Sequence, residues 1–233
     1  MDRTDTLAGE SLTFGLLGRL LYRYPDRAWL QFLADEGVFS DVPFASKQPD
    51  MAAGLALMQD WASDSAGGMA EEAFERLRAD YTRLFIGPDR VLAPPWESVH
   101  LSVDRLLFQE QTLEVRAWYQ RYGLAAARLH SEPDDHIGLE LAFLSHLAML
   151  GTDAIERQKH TELAELLDAQ QSFLSDHPLK WAPAWCDAVA THAQTTFYRG
   201  IALMVRGALL ELAANAIPAD SPSSSPCWSR HRT

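Results

Sequence analysis

The chain has 233 residues, 47% of them hydrophobic, enough for one sizeable core or two small ones. Its 32 Asp and Glu outweigh 20 Lys and Arg, giving a formal charge of -12. That balance argues against general nucleic-acid binding, which needs cations to displace counterions from phosphates, and it would suit a basic peptide as a partner.

Taken in chain order, the apolar periodicity is helical almost throughout. Leu12, Leu16, Leu20 and Tyr24 form a first stripe that Pro25 ends. Residues 35–50 hold Gly, Ser, Asp and two prolines and read as a loop. Phe74, Leu77, Tyr81, Leu84 and Phe85 form a second stripe, ended by Gly87-Pro88. The next stretch, "IGPDRVLAPPWES", holds three prolines and is not helical through its length. Val115, Trp118, Tyr119 and Tyr122 follow, with Gly123 placed just past a C-cap. Leu139, Phe143, Leu147 and Leu150, flanked by Leu141 and Leu144, predict a helix buried on most sides. Weaker stripes surround Leu163, Leu166, Leu167 and Leu174, and a last one runs from Phe197 through Ile201, Met204, Val205 and Ala208 to Leu212. No alternating run is long enough for a sheet. The expectation is an all-α protein, a single globular domain of about ten helices over residues 1–217. Residues 218–233 read as a flexible Ser/Pro-rich tail.

Cys186 and Cys227 stand far apart and make neither a disulfide framework nor a thiolate zinc motif. The first residues lack signal-peptide layout, and no run approaches the roughly 18–20 apolar residues that cross a bilayer. The expected compartment is the cytoplasm.

Two stretches carry the chemistry. In "SEPDDHIGLELAFLSHLAML", residues 131–150, four carboxylates and His136 gather at the head of an apolar helix with no Lys or Arg. Ser131 and Asp134 have capping-box spacing, Pro133 suits a first helical turn, and acids there complement the helix dipole. That accounts for Ser131 through Asp134 but not for Asp135 with His136. A metal site could use His136 and Glu140 at i,i+4, although no second Glu-x-x-His pair completes it. Nucleophilic catalysis finds no Ser elbow here, and nucleotide binding finds no Gly-rich phosphate loop. In the second stretch, "LFIGPDRVLAPPWESVHL", aromatics and prolines offer either a rigid apolar wall for a peptide or a buried connector with Trp96 plugging the core.

Together, "YTRLFIGPDRVLAPPWESVHL", "TLEVRAWYQRYGL" and "EPDDHIGLELAFLSHL", in this order, resemble the TorD/DmsD family of chaperones for molybdenum-cofactor oxidoreductases. The resemblance is strong from Tyr81 to Leu150, about a third of the chain, and general elsewhere. It implies an all-helical, non-catalytic, cytoplasmic chaperone without a cofactor. Such a chaperone binds the twin-arginine signal peptide of a molybdopterin oxidoreductase before export, and with it the apoenzyme in some members. By position, Asp135 and His136 match the family's Asp-His pair implicated in leader binding, and Leu84, Phe85, Pro95, Trp96 and Ser98 fall on its hydrophobic loop. Glu132 and Asp134 join them on electrostatic grounds, because carboxylates accept bidentate bonds from guanidinium. Protonation of His136 would add pH sensitivity. The chain departs from several members at Asp89, Glu97 and His100, which makes the loop more polar and acidic. The alternative function is a helical metal-dependent hydrolase or oxidase using Glu132, Asp135, His136 and Glu140.

Overall fold

The computed structural model describes residues 2–40, 48–87, 91–102, 106–125 and 132–215. The tail, Cys227, Ser131 and Asp89 therefore lie outside the described residues, as does the capping role expected of Ser131. Among the described residues there are ten α-helices. They are α1 (Arg3–Tyr22), α2 (Arg27–Asp35), α3 (Pro49–Ser65), α4 (Glu71–Tyr81), α5 (Glu97–Leu101), α6 (Glu110–Arg121), α7 (Ile137–Glu156), α8 (His160–Asp176), α9 (Pro178–His192) and α10 (Thr196–Ala214). A π-helical turn, Thr82–Ile86, extends α4. The all-α expectation holds, and no helix among the described residues is long and apolar enough to cross a membrane.

α1 starts on a reciprocal capping box between Asp2 and Asp5. Its buried face is Leu7, Phe14, Leu17, Leu20 and Leu21, whereas Leu12 is 63% exposed. The leucine stripe read from Leu12 and Leu16 is thus offset from the face that packs. Small residues decide the offset. α1 runs along α7, and a Cβ on Gly18 would sit 2.7 Å from the Gly138 carbonyl oxygen, while a Cβ on Gly138 would sit 2.7 Å from that of Gly18. Two backbones in contact leave no room for side chains at the crossing. α3 meets α10 in the same manner through Gly54 and Gly200.

The other predicted stripes match their helices. Leu84 and Phe85 are buried, and Gly123 takes φ +72° immediately after the Tyr122 C-cap of α6. α7 is buried along Ile137, Leu141, Phe143, Leu144, Leu147 and Ala148. Its start differs from expectation. The helix begins at Ile137 with His136 as N-cap, so Pro133 is outside the first turn and Asp135 and His136 precede the helix. The reason is that Asp134 and Asp135 bond to other elements, as described next.

Candidate functional site

The proline-rich loop and the acidic stretch meet backbone to backbone. Trp96 and His136 form an isolated antiparallel β-bridge, in which Glu97 N donates to Asp135 O at 3.0 Å and Ile137 N donates to Pro95 O at 2.8 Å. The loop itself is pinned from below. Ala93 N donates to Leu84 O, Trp185 Nε1 donates to Ala93 O, and Phe85 stacks on Trp185 at 5.9 Å. Pro95 is buried and Trp96 half-buried. The segment is therefore a buried connector that still presents one indole.

Each acid has a distinct place. Asp135, with no exposed surface, accepts from Ser98 N at 2.7 Å and from the Thr112 hydroxyl at 2.8 Å, tying α5 and α6 to the head of α7. The Ser98 hydroxyl is buried with no partner among the described residues, so Ser98 contributes through its backbone. Asp134, 1% exposed, pairs with Arg116 Nε at 2.6 Å, and its carbonyl accepts from the Tyr119 hydroxyl. Glu132 is half-exposed and accepts from Trp96 Nε1 at 2.9 Å. Of the acids assigned to arginine capture, Glu132 alone faces solvent to a useful degree. Asp134 and Asp135 face inward and hold the site's frame, so a direct grip by those two carboxylates does not fit their burial. Leu84, Phe85 and Ser98 likewise lie beneath the surface as support.

His136 accepts from Gly138 N through Nδ1 at 3.0 Å, which leaves the proton on Nε2. Burial lowers its pKa from 6.5 to about 3. The ring is neutral near pH 7, so any pH sensitivity it adds falls on the acid side, well below neutrality. The ring meets Trp96 at 6.0 Å and Tyr22 at 5.3 Å between centroids, both in T-shaped pairs. Tyr22, at the end of α1, was not singled out in the sequence, because its place beside His136 follows from the Gly18–Gly138 crossing and leaves no local signal.

The departures Glu97 and His100 also have internal partners. Glu97 is buried and bonded to His177 Nδ1 at 2.9 Å. His100 Nε2 meets Pro94 O at 2.8 Å and the ring stacks on Trp181 at 4.9 Å. They alter the interior of the loop, so Glu97 does not make its outer face more acidic.

Glu140 accepts from Trp181 Nε1 at 3.2 Å, and its pKa is well above the usual carboxylate range through burial and the nearby charges of Glu97 and Asp135. Among the described residues no three His, Cys, Asp or Glu side chains gather as a metal site.

A cleft of about 790 Å³ is walled by the end of α1, the segment Tyr22–Asp26, the start of α2, the first turns of α7 and the start of α10, and reaches the Tyr22 and Gly138 neighbours of His136 without including His136 itself. Arg19, Arg23, Tyr24 and Trp29 stand around it.

The nitrate reductase delta subunit family model matches residues 45–187. A Tat proofreading chaperone DmsD of Salmonella typhi is 32% identical over 143 residues, 61% of this chain and 63% of that protein. The chain thus spans just under two thirds of that relative's length. A probable Tat proofreading chaperone DmsD of Haemophilus influenzae is 28% identical over 208 residues, 86% of this chain and 88% of that one. A chaperone protein TorD of Aliivibrio fischeri is 28% identical over 131 residues, 56% and 60% of the two chains. A solved structure titled as a putative redox enzyme maturation protein from Archaeoglobus fulgidus covers 84% of this chain and 92% of its own at 21% identity and a TM-score of 0.45. With the family model matching more than half of its residues, the chain belongs to the nitrate reductase delta subunit family, and within it to the TorD/DmsD proteins it resembles.

Proposed function

We propose that this protein is a cytoplasmic maturation chaperone that holds the twin-arginine signal peptide of a molybdopterin oxidoreductase, and its apoenzyme, before export. The observation that carries the reading is the Trp96–Glu132 pair on the bridge to His136. A leader presents guanidiniums next to a short apolar segment. Glu132 offers a carboxylate whose one oxygen is already oriented by the indole, leaving the other for an arginine. Trp96 supplies the stiff apolar neighbour, and Pro95, Asp134, Asp135, His136 and Ser98 keep the two stretches in register beneath it. The names of the DmsD and TorD relatives support a chaperone role rather than an enzymatic one. Such binding is steered by charge and weakens with salt.

The test is a titration of a labelled leader peptide with both arginines intact or both replaced by glutamine, against wild type and Glu132→Gln. Wild type should prefer the arginine peptide, and E132Q should lose most of that preference. Equal affinity of wild type for both peptides would end the proposal.

A further inference from the structure

The cleft between the end of α1 and the start of α2, lined by Arg19 and Arg23, is cationic in a chain that carries a net charge of -12. The Arg19 guanidinium lies 4.1 Å from the centre of the Trp29 ring, and that of Arg23 lies 5.7 Å from the centre of the Tyr22 ring. Neither meets a carboxylate among the described residues, whereas Arg27, Arg78, Arg83, Arg116 and Arg206 each do. An aromatic face holds a guanidinium in place without neutralising it. Asp26 shares the rim, but its carboxylate accepts from Trp29 N as the cap of α2.

From this cleft a ladder of rings leads to the acid. Arg23 lies over Tyr22, Tyr22 meets His136, His136 meets Trp96, and Trp96 donates to Glu132. A cation stands at one end and a carboxylate at the other. A twin-arginine segment would be repelled at the Arg19–Arg23 end.

We propose that the Arg19–Arg23 cleft binds an acidic stretch of the client polypeptide adjoining its arginine pair, so that the bound segment is read by charge at both ends. The inference deepens the leader reading and rests on it. The walls favour a peptide over a phosphate. The first four backbone N–H groups of α7, the usual donors to a phosphate, already bond to Pro95 O, His136 Nδ1 and His136 O. Leu139 and Ala142, with Leu20 and Leu30 buried beneath, line the cleft and suit the aliphatic stems of a peptide.

The experiment uses four fluorescein-labelled synthetic peptides that combine Arg-Arg or Gln-Gln, a Leu/Ala spacer, and Asp-Asp or Asn-Asn. Affinities are measured by anisotropy for wild type and for Arg19→Gln with Arg23→Gln, whose helix content is checked by circular dichroism. On wild type, changing Asp to Asn should weaken binding about tenfold, the size of two exposed guanidinium–carboxylate pairs. On the folded double variant the change should have no weakening effect. The sign is diagnostic, because the chain's net negative charge repels the Asp peptide everywhere else. Equal binding of Asp and Asn peptides by wild type overturns the inference. So does displacement of the Asp peptide by inorganic phosphate, at matched ionic strength, from wild type alone. Equal binding of Arg and Gln peptides would instead remove the leader reading, with the Asp–Asn comparison still reporting on the cleft.

Discussion

The Asp135 carboxylate caps a helix to which it does not belong: its Oδ2 accepts from Ser98 N, at the start of α5, while its Oδ1 accepts from the Thr112 hydroxyl in α6. Both bonds are buried, so removing the acceptor leaves two donors without water or partner. Asp135→Ala is expected to cost about 3 kcal/mol of stability, read from urea denaturation. A loss under about 1 kcal/mol would mean that the bridge between the loop and α7 stands without this carboxylate. Reduced peptide binding by this variant is to be compared with its stability loss, because Asp135 acts from below the surface.

The crossing of α1 and α7 predicts a contrast between two glycines of one helix. At Gly138 a Cβ would meet the Gly18 carbonyl oxygen at 2.7 Å and Tyr22 Cβ at 2.8 Å, so the backbones themselves must separate. At Gly151 the nearest atom is Leu7 Cδ1 at 3.0 Å, the end of a flexible side chain. Gly138→Ala should therefore cost about 3 kcal/mol or more and Gly151→Ala about 1 kcal/mol or less, since a helical alanine recovers part of the strain. Equal shifts in Tm for the two variants would contradict the contact assigned to Gly18 and Gly138.

What was legible in the sequence follows the range of each interaction. The periods of α4, α6, α7 and α10 depend on neighbours three and four residues away, and those stripes were read correctly. The loop and the EPDDH stretch were recognisable as a pair because their residues carry a family pattern. The inward direction of Asp134 and Asp135 was not legible, since their partners Arg116, Thr112 and Ser98 are 18, 23 and 37 residues away. A run of acids at a helix head reads as a solvated, dipole-complementing cap until those partners are known. The α1 face was misread for the same reason, because a leucine stripe carries a local signal and a glycine crossing does not. Tyr22 and the cleft depend on that crossing and were missed with it.

His136 predicts acid sensitivity in the fold. Its pKa falls from 6.5 to about 3 in the folded protein because burial disfavours the imidazolium. Between these values the unfolded chain binds more protons, so the stabilisation is complete above about pH 6.5 and is lost as pH falls toward 3. His136→Asn retains an acceptor for Gly138 N and removes the titrating ring. The variant should lose less stability than wild type between pH 6.5 and 4, measured as the change in urea midpoint. Parallel curves would show that His136 is not the group responsible.

Glu10 predicts the opposite slope. It lies in α1, buried, and accepts from Gln170 Nε2 of α8 at 3.1 Å. Burial raises its pKa from 4.5 to about 7, with the Gln170 bond lowering it in part. Below pH 4.5 the carboxyl is protonated in both states and no difference arises. Between 4.5 and 7 the folded chain keeps a proton that the unfolded chain releases, so stability falls as pH rises, by roughly 3 kcal/mol in all before levelling off above 7. Glu10→Gln holds the neutral form at every pH and keeps an oxygen acceptor for Gln170. E10Q should therefore be the more stable protein at pH 8, with the advantage shrinking steadily toward pH 4.5. Titrating the urea midpoints of both proteins across that window measures it, and an advantage independent of pH would refer the effect to packing rather than to the buried charge.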